Sequence, residues 1–465
     1  MDALSATHRV LYNLDLLYDI IKAIYFAHDD LFAPKYEGDR CSIAGLARVC
    51  KTFHEPALGQ LWRGLPSLKP VLALWDATVP AHTSLARGEQ GLQRLYHYTR
   101  LTKWIFYGED NAPEHEAFKL HGLYTRYKGT TLFPSLHKLY LLVWPLSVAE
   151  ANLLFSPSLS VISFPHSSFP SRTLSRLGRS QQEQMCIHLL VKRCPSLQEF
   201  SNRLWDPPPA SVRLLEPLFS LEQLSCFWVY LGPATASDRR GEWLEKASKM
   251  KYLKEFCFST INLSNGIVSR LDLGPFSRLE RLFIAGSISA LSSIFSSMCS
   301  NLKVVSLEAD IGEEWYDMKN CLQLLVNNSG RRLTSFRLQP ATNHSSAPPS
   351  LSAVLQPLLK VFTLEDVSIT LPCSVTDHDI TVFASAWPNL RFIDISRPSL
   401  LKSESNVRAG FRALIELATR CPCLRSIDLN LDLNNPPPIQ DIPNVNHSLR
   451  WLEMYHVTDS TDEKM

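Results

Sequence analysis

Along most of the chain, apolar residues recur in one short phrase, L-x-x-φ-x-φ, where φ is apolar and the intervening positions are free. It stands as LTKWIF at Leu101, LHKLYL at Leu136, LSVISF at Leu159, LEQLSC at Leu221, LKEFCF at Leu253 and LERLFI at Leu279. It continues as LKVVSL at Leu302, LTSFRL at Leu333, LKVFTL at Leu359, LRFIDI at Leu390, LRSIDL at Leu424 and LRWLEM at Leu449, with a weaker copy, LQEFSN, at Leu197. In a short strand this alternation sends positions four and six into a core and positions three, five and seven to the opposite side. The mean spacing is roughly 29 residues. Between copies lie stretches of helical period, among them Gln181 to Cys194, Glu313 to Asn328 and Val407 to Cys421. One strand and one helix cannot bury their apolar faces alone, so the pattern predicts an α/β fold of stacked units, a curved solenoid with a parallel inner sheet and outer helices.

Ahead of the first phrase the period changes. Asn13 to Phe26 carries Leu14, Leu17, Ile21 and Ile24 on one helical face and Leu16, Ile20 and Ala23 on another. Cys41 to Leu68 predicts two further short helices. In the first, Ile43, Leu46, Ala47 and Cys50 share a face while Val49 and Phe53 point elsewhere; in the second, Pro56 suits the first turn and Leu58, Leu61, Trp62 and Leu65 form the stripe. A polar segment, His28 to Arg40, separates the first two helices. Three helices this short cannot hide two apolar faces each among themselves, so one face is left for a partner.

From Pro66 to Tyr98 the pattern predicts a helix, a loop at Val79 to Gly91 and a second helical turn, with Val71, Leu72, Leu74 and Trp75 making a packed joint. The expected organisation is a helical domain over 8–68, a joint over 69–98, the solenoid over 99–457 and a fraying tail over 458–465. Asp206 to Ala210, Ala341 to Ser350 and Asn434 to Pro443 are Pro-rich or polar and are expected as loops at the solenoid edge.

Composition narrows the function classes. The 465 residues balance 47 basic against 45 acidic side chains for a formal charge of +2, so no global field favours nucleic acid or membrane. The 11 cysteines are odd in number and lie mostly in apolar patterns; the N-terminal MDALSATHRV lacks a basic region before an apolar core. A reducing compartment, cytosol or nucleus, is expected. No run approaches the eighteen or so apolar residues of a membrane span, so a soluble protein is expected. Phosphate-loop, zinc-helix and nucleophile-elbow signatures are not found. Cys421 and Cys423 in RCPCL lack further ligands at metal spacing and read as structural, and His54 reads as a surface or capping residue. Neither catalysis nor a metal or cofactor is expected.

The outward strand positions are the candidate binding face. Early copies present Lys103, Tyr107, Lys138, Tyr140 and Arg203; late copies present Glu365, Phe392, Asp394, Asp428, Trp451, Glu453 and Tyr455. The face is thus expected to run from basic to acidic with aromatics, and its acidic end, anchored by Phe392, Trp451 and Tyr455, to grip a basic segment of a client protein. Solvated strand positions charged by chance are the alternative.

The leading helices resemble the F-box of fungal F-box proteins. The family's Leu-x-x-Val-Cys-Lys middle stands here as Leu46, Val49, Cys50 and Lys51, and its Leu-Trp-Arg close as Leu61, Trp62 and Arg63. The usual opening proline is replaced by Leu14, and the His28 to Arg40 segment is an insertion. The region beyond resembles the leucine-rich repeats that follow the F-box in many such proteins. The Asn or Cys expected eight residues after the first leucine is instead Trp144, Ile261, Ser287, Asp310, Val367, Pro398, Asp432 and Val457, so an irregular solenoid is expected. The resemblance implies a substrate receptor of a Skp, cullin and F-box type ubiquitin ligase. Its Skp adaptor would bind Leu16, Leu17, Ile20, Val49, Cys50, Leu61 and Trp62, the adaptor would connect to a cullin, and the solenoid would hold the client. The alternative is a leucine-rich scaffold or inhibitor attached to no ligase.

Overall fold

The computed structural model of the chain describes residues 13–25, 36–78, 85–108, 119–125, 131–142, 144–164, 176–202, 214–229, 240–259, 276, 278–298, 301–310, 315–340, 350–371, 375–396, 409–429, 431, 436–438, 442 and 447–454. The expected loops at 206–210 and 341–349, the segment 28–35, Arg203, Tyr455 and the tail 458–465 lie outside the described residues, as does the side chain of Leu14. The chain divides into two compact units, Met1–Asn202 and Arg203–Met465.

The first unit opens with three helices, α1 (Leu14–Tyr25), α2 (Tyr36–Leu46) and α3 (Lys51–Arg63). Their core is Ile21, Ile43, Ala47 and Ala57, with Leu46, Phe53, Leu58 and Leu61 packed on it. Local polar groups set the helix ends. The Asn13 carboxamide oxygen accepts from the Asp15 and Leu16 N–H groups, at 3.1 and 3.3 Å, and so caps α1. The Arg40 guanidinium donates to the Gly64 and Leu61 carbonyls, at 2.8 and 3.3 Å, where the last turn of α3 has no helical donor to offer them.

Strand β1 (Gly64–Leu65) follows α3 directly. It pairs in parallel with β2 (Trp104–Tyr107) across α4 (Lys69–Thr78) and α5 (Leu85–Thr99). The unit continues through β3 (Lys138–Leu141), α6 (Val148–Leu154), β4 (Val161–Phe164), α7 (Arg176–Arg193) and β5 (Glu199–Asn202), each strand parallel to the one before.

The second unit repeats the scheme. It runs β6 (Cys226–Val229), α8 (Arg240–Ser248), β7 (Glu255–Ser259), β8 (Arg281–Ser287), α9 (Ile288–Ser297), β9 (Val304–Asp310), α10 (Trp315–Ser329) and β10 (Ser335–Pro340). It then adds α11 (Leu351–Val354), β11 (Asp366–Thr370), α12 (Asp377–Ala386), β12 (Phe392–Ser396), α13 (Phe411–Arg420), β13 (Ser426–Leu429) and β14 (Trp451–Met454). Every described neighbour pair from β6 to β14 is parallel and consecutive. This is the arrangement of a leucine-rich-repeat solenoid. In register, Phe227, Phe256, Leu282, Val305, Phe336, Val367, Ile393 and Ile427 form one buried row and Val229, Phe258, Ile284, Leu307, Leu338, Ile369, Ile395 and Leu429 a second. Each such side chain contributes about 1.5–3 kcal/mol on burial, and the turns are held in order by rows that no single turn completes.

Backbone hydrogen bonds tie successive turns together. At the leading edge of the sheet one carbonyl per turn takes two N–H groups from the next: Glu280 accepts from Lys303 and Val304 at 2.7 and 3.0 Å, and Glu365 accepts from Arg391 and Phe392 at 2.6 and 3.0 Å.

Several sequence expectations are corrected. Three phrases sit out of register with their strands. At Leu101 the phrase is one residue early, since Trp104 rather than Lys103 lies opposite Lys138. At Leu221 the strand begins with the phrase at Leu224, and at Leu359 with LEDVSI at Leu364, because 358–360 is a 3-10 turn. A one-residue slip exchanges the two faces, so Tyr107 is a core residue and Glu365 stands ahead of β11 instead of on its outer face. Helix α2 begins at Tyr36, inside the segment expected as an insertion, because its first half is polar and shows no apolar period. Cys50 is the N-cap of α3 and not part of α2, and Pro56 is the sixth residue of α3. There it cannot donate to the Thr52 carbonyl, so the helix loses one bond. Helix α5 starts at Leu85, within the expected loop, and its later part carries the buried Leu95.

Candidate functional site

Two surfaces stand out, one in each unit. On the helical module, α1 turns Leu17 and Ile21 inward, at 1% and 0% exposure, and leaves Leu16 and Ile20 at 44% and 45%. Leu16 and Ile20 are four residues apart and therefore neighbours on one helical face. Tyr18 is also exposed on its rim, while its hydroxyl lies close over Gly59 of α3; a Cβ at Gly59 would fall 2.5 Å from that oxygen. Val49, at 66%, stands in the turn between α2 and α3, with Cys50 exposed beside it. The Cys50 thiol is drawn below the ordinary thiol range, chiefly by the Phe53 N–H at the start of α3.

The seven residues expected to contact an adaptor therefore separate. Leu16, Ile20, Val49 and Cys50 face solvent, whereas Leu17 belongs to the core. Leu61 is half-buried against the three-helix core, and Trp62 stacks on Tyr98 of α5, with centroids 5.0 Å apart and planes inclined by 22°. His54 binds the Ala47 carbonyl through Nδ1 at 2.9 Å and holds the turn that carries Val49.

The second surface is the outer face of β11 to β14. Ser368, Asp394, Asp428 and Glu453 occupy one register position on four adjacent strands, about 4.8 Å apart. The Ser368 hydroxyl donates to Asp394 Oδ2 at 2.8 Å. Oδ1 of Asp394 and Oδ1 of Asp428 are shielded from water and take no hydrogen bond among the described residues. Burial, then the neighbouring Asp394 and Glu453 charges, push the Asp428 carboxyl up to about 6. Two positions earlier runs the row Asp366, Phe392, Ser426 and Trp451. Trp451 is exposed and its indole donates to Glu453 Oε2 at 3.3 Å. Glu365, ahead of this face, pairs with Arg391 at 3.1 Å. Asp366 and Ser368 were not among the sequence candidates because the phrase at Leu359 was set five residues early. Tyr455 lies outside the described residues.

The outer face of the first unit carries the expected Lys138 and Tyr140 together with aromatics that the shifted register adds. In the first unit Phe106 stacks on Tyr140 at 4.4 Å and meets Trp104 edge-on at 5.7 Å, with Lys138 exposed beside them. The residue expected at that place, Tyr107, donates instead from its hydroxyl to the buried Glu150.

Chemistry of other kinds is sparse. Cys421 is buried with its thiol pushed up to about 11, first by desolvation, and its Sγ lies 3.5 Å from the Trp387 carbonyl; Cys423 is exposed. Among the described residues no group of three or more His, Cys, Asp and Glu could hold a metal ion, and no helix is long and apolar enough to cross a membrane.

No family model and no curated protein matches the chain. Solved structures similar to it include the leucine-rich repeat-containing protein LegL7 from Legionella pneumophila, at 13% identity, covering 62% of this chain and 91% of that one with a TM-score of 0.35. A chain of the Rad7 and Elc1 complex in yeast is similar at 14% identity, covering 80% of this chain and 87% of that one, also with a TM-score of 0.35.

Proposed function

We propose that the chain is a non-catalytic substrate receptor, binding a Skp-type adaptor through its leading helices and a client protein through the outer face of its sheet. The observation that carries this reading is the Leu16 and Ile20 ridge. A helix that has closed its own core with Leu17 and Ile21 gains nothing by keeping two large aliphatic side chains in water, and burying them against a partner contributes about 1.5–3 kcal/mol each. The Val49 and Cys50 turn, which carries the F-box-like sequence, extends the apolar surface. The receptor does no chemistry of its own: holding a client beside a conjugating enzyme raises its effective concentration. Through the adaptor it joins a cullin, in cytosol or nucleus.

The acidic row is the client site in this proposal. The adjacent Asp394, Asp428 and Glu453 carboxylates concentrate negative charge that favours a segment bearing lysine or arginine, and Phe392 and Trp451 supply apolar contact alongside.

Co-expression with a Skp-type adaptor tests the reading. The full chain is expected to co-purify with the adaptor and the Leu16→Glu, Ile20→Glu variant to lose it while keeping its helical content. A wild-type chain that captures no adaptor overturns the proposal and leaves a leucine-rich scaffold or inhibitor whose helices cap the sheet, a reading favoured by the Trp62 to Tyr98 stack.

A further inference from the structure

The second unit holds a cationic cavity that neither proposed surface uses. The loop from α8 into β7 (Ser248 to Leu253) and the residues Phe276 and Arg278 ahead of β8 line an open concavity of about 380 Å³. The floor is firm: Leu253 and Phe276 are buried, and the buried Ser248 hydroxyl donates to the Glu245 carbonyl at 2.8 Å. The rim is positive, made of Lys249, Lys251 and Arg278.

Two of these cations rest against one aromatic ring. Lys251 Nζ lies 5.3 Å and the Arg278 guanidinium carbon 5.4 Å from the centroid of the Tyr252 ring, so the same ring attracts both. Neither forms an ion pair among the described residues, whereas Lys249 is paired with Glu245 at 2.5 Å on the exposed side of α8. Two further acids on neighbouring strands are already engaged. Glu280 pairs with Lys303 at 3.0 Å, and Lys303, Lys254 and Arg281 together draw its carboxyl below the ordinary range. Glu255 is likewise taken by Arg281, at 3.6 Å, and by the Trp228 indole, at 2.7 Å. Among the described residues, Lys251 and Arg278 therefore stand at a concave site with a firm floor and without an ion-pair partner.

We propose that this cavity is a seat for a dianionic phosphate group, borne on a protein side chain or free in solution. A phosphate carries a charge of about −1.5 to −2 at neutral pH and has enough acceptor oxygens to take the planar Arg278 fork and the Lys251 ammonium at once. A nucleic-acid backbone would need a basic stripe, and the chain's formal charge is only +2. The seat is independent of the adaptor and client readings, since it lies on turns that carry neither surface.

The test is titration of the full chain with inorganic phosphate and, separately, with a short alanine and glycine peptide containing one phosphoserine, both against chloride at matched ionic strength. Saturable binding of either probe, weakened about tenfold or more in Arg278→Gln and in Lys251→Gln, is the expected result. Lys303→Gln, a cation outside the cavity, is expected to bind as wild type does, and Arg278→Lys to retain part of the affinity. A phosphopeptide that binds tighter than inorganic phosphate assigns the seat to a phosphorylated protein segment; equal binding assigns it to free phosphate. No binding above the chloride control, or equal loss in the Lys303 variant, overturns the proposal. Unchanged thermal unfolding of each variant keeps loss of binding separate from loss of fold.

Discussion

The indole of Trp104 lies directly over Gly64, so closely that a Cβ built on Gly64 would sit 1.9 Å from two of its ring carbons. Gly64 begins β1 and Trp104 begins β2, and the two are register partners, so this contact joins the helical module to the first pair of strands. The backbone at Gly64 is ordinary extended chain, φ −131, and what requires glycine is space alone. Gly64→Ala is expected to destabilise the protein by about 1–3 kcal/mol through overpacking and to shift the tryptophan fluorescence. Gly45, in α2, has nothing within 4 Å of its Cβ position, and Gly45→Ala is expected to stabilise by about 0.4–1 kcal/mol. Urea midpoints of the two variants check both signs; equal effects would show that Trp104 is free to move.

Tyr107 and Glu150 make the second test. The Glu150 side chain, fully buried, accepts from the Tyr107 hydroxyl and, at 2.6 Å, from the Ser147 N–H, closing the capping box of α6. Tyr107→Phe keeps the ring and deprives a buried carboxyl of a donor. A loss of about 1.5–3 kcal/mol is expected from chemical denaturation. No loss would place Tyr107 on the outer face, as the sequence register first suggested.

The acidic row gives a pH dependence of stability. The Asp428 carboxyl titrates near 6 in the folded chain, against about 3.9 when unfolded. Between those values the folded state binds more protons, so stability falls as pH rises through about 4 to 6 and stays reduced above it. Asp428→Asn is expected to raise the melting temperature at pH 7 and to flatten its profile across that window. A variant profile parallel to wild type would contradict the crowding of Asp394, Asp428 and Glu453.

Much of this architecture was legible in the sequence, and the failures share a cause. The phrase L-x-x-φ-x-φ placed most strands because buried rows demand apolar residues at fixed register. It slipped at Leu101, Leu221 and Leu359, where a second apolar residue nearby offers an equally good frame: Thr102 is buried at the position a leucine occupies elsewhere, and Leu224 and Leu364 each follow an earlier leucine. Those slips hid the Trp104, Phe106 and Tyr140 cluster and moved Glu365 onto the outer face. In α1 both apolar faces were visible, but not which one closes the core. That choice depends on contacts with Ile43 and Ala57, which no local pattern encodes. The cavity at Lys251 and Arg278 joins loops from two repeats and has no linear signature.

The client surface is tested by charge. A lysine- and arginine-rich peptide is expected to bind the full chain and to lose affinity as salt rises toward physiological strength and beyond, because the row is only partly shielded. Reversing Asp394, Asp428 and Glu453 together to lysine is expected to abolish that binding. Retention by the triple variant would show that the acidic row holds no client.

The most direct test of the receptor reading is the affinity of the full chain for a purified Skp-type adaptor, measured by calorimetry for wild type, Leu16→Glu with Ile20→Glu, and Leu17→Ala. Wild type is expected to bind. The double variant, altered only in solvent-facing side chains, is expected to unfold as wild type does yet lose at least a hundredfold in affinity. Leu17→Ala is expected to lose about 2–5 kcal/mol of stability, since that side chain is core. Undiminished adaptor binding by the folded double variant, or no binding by wild type, would contradict the assignment of the α1 ridge as the adaptor contact.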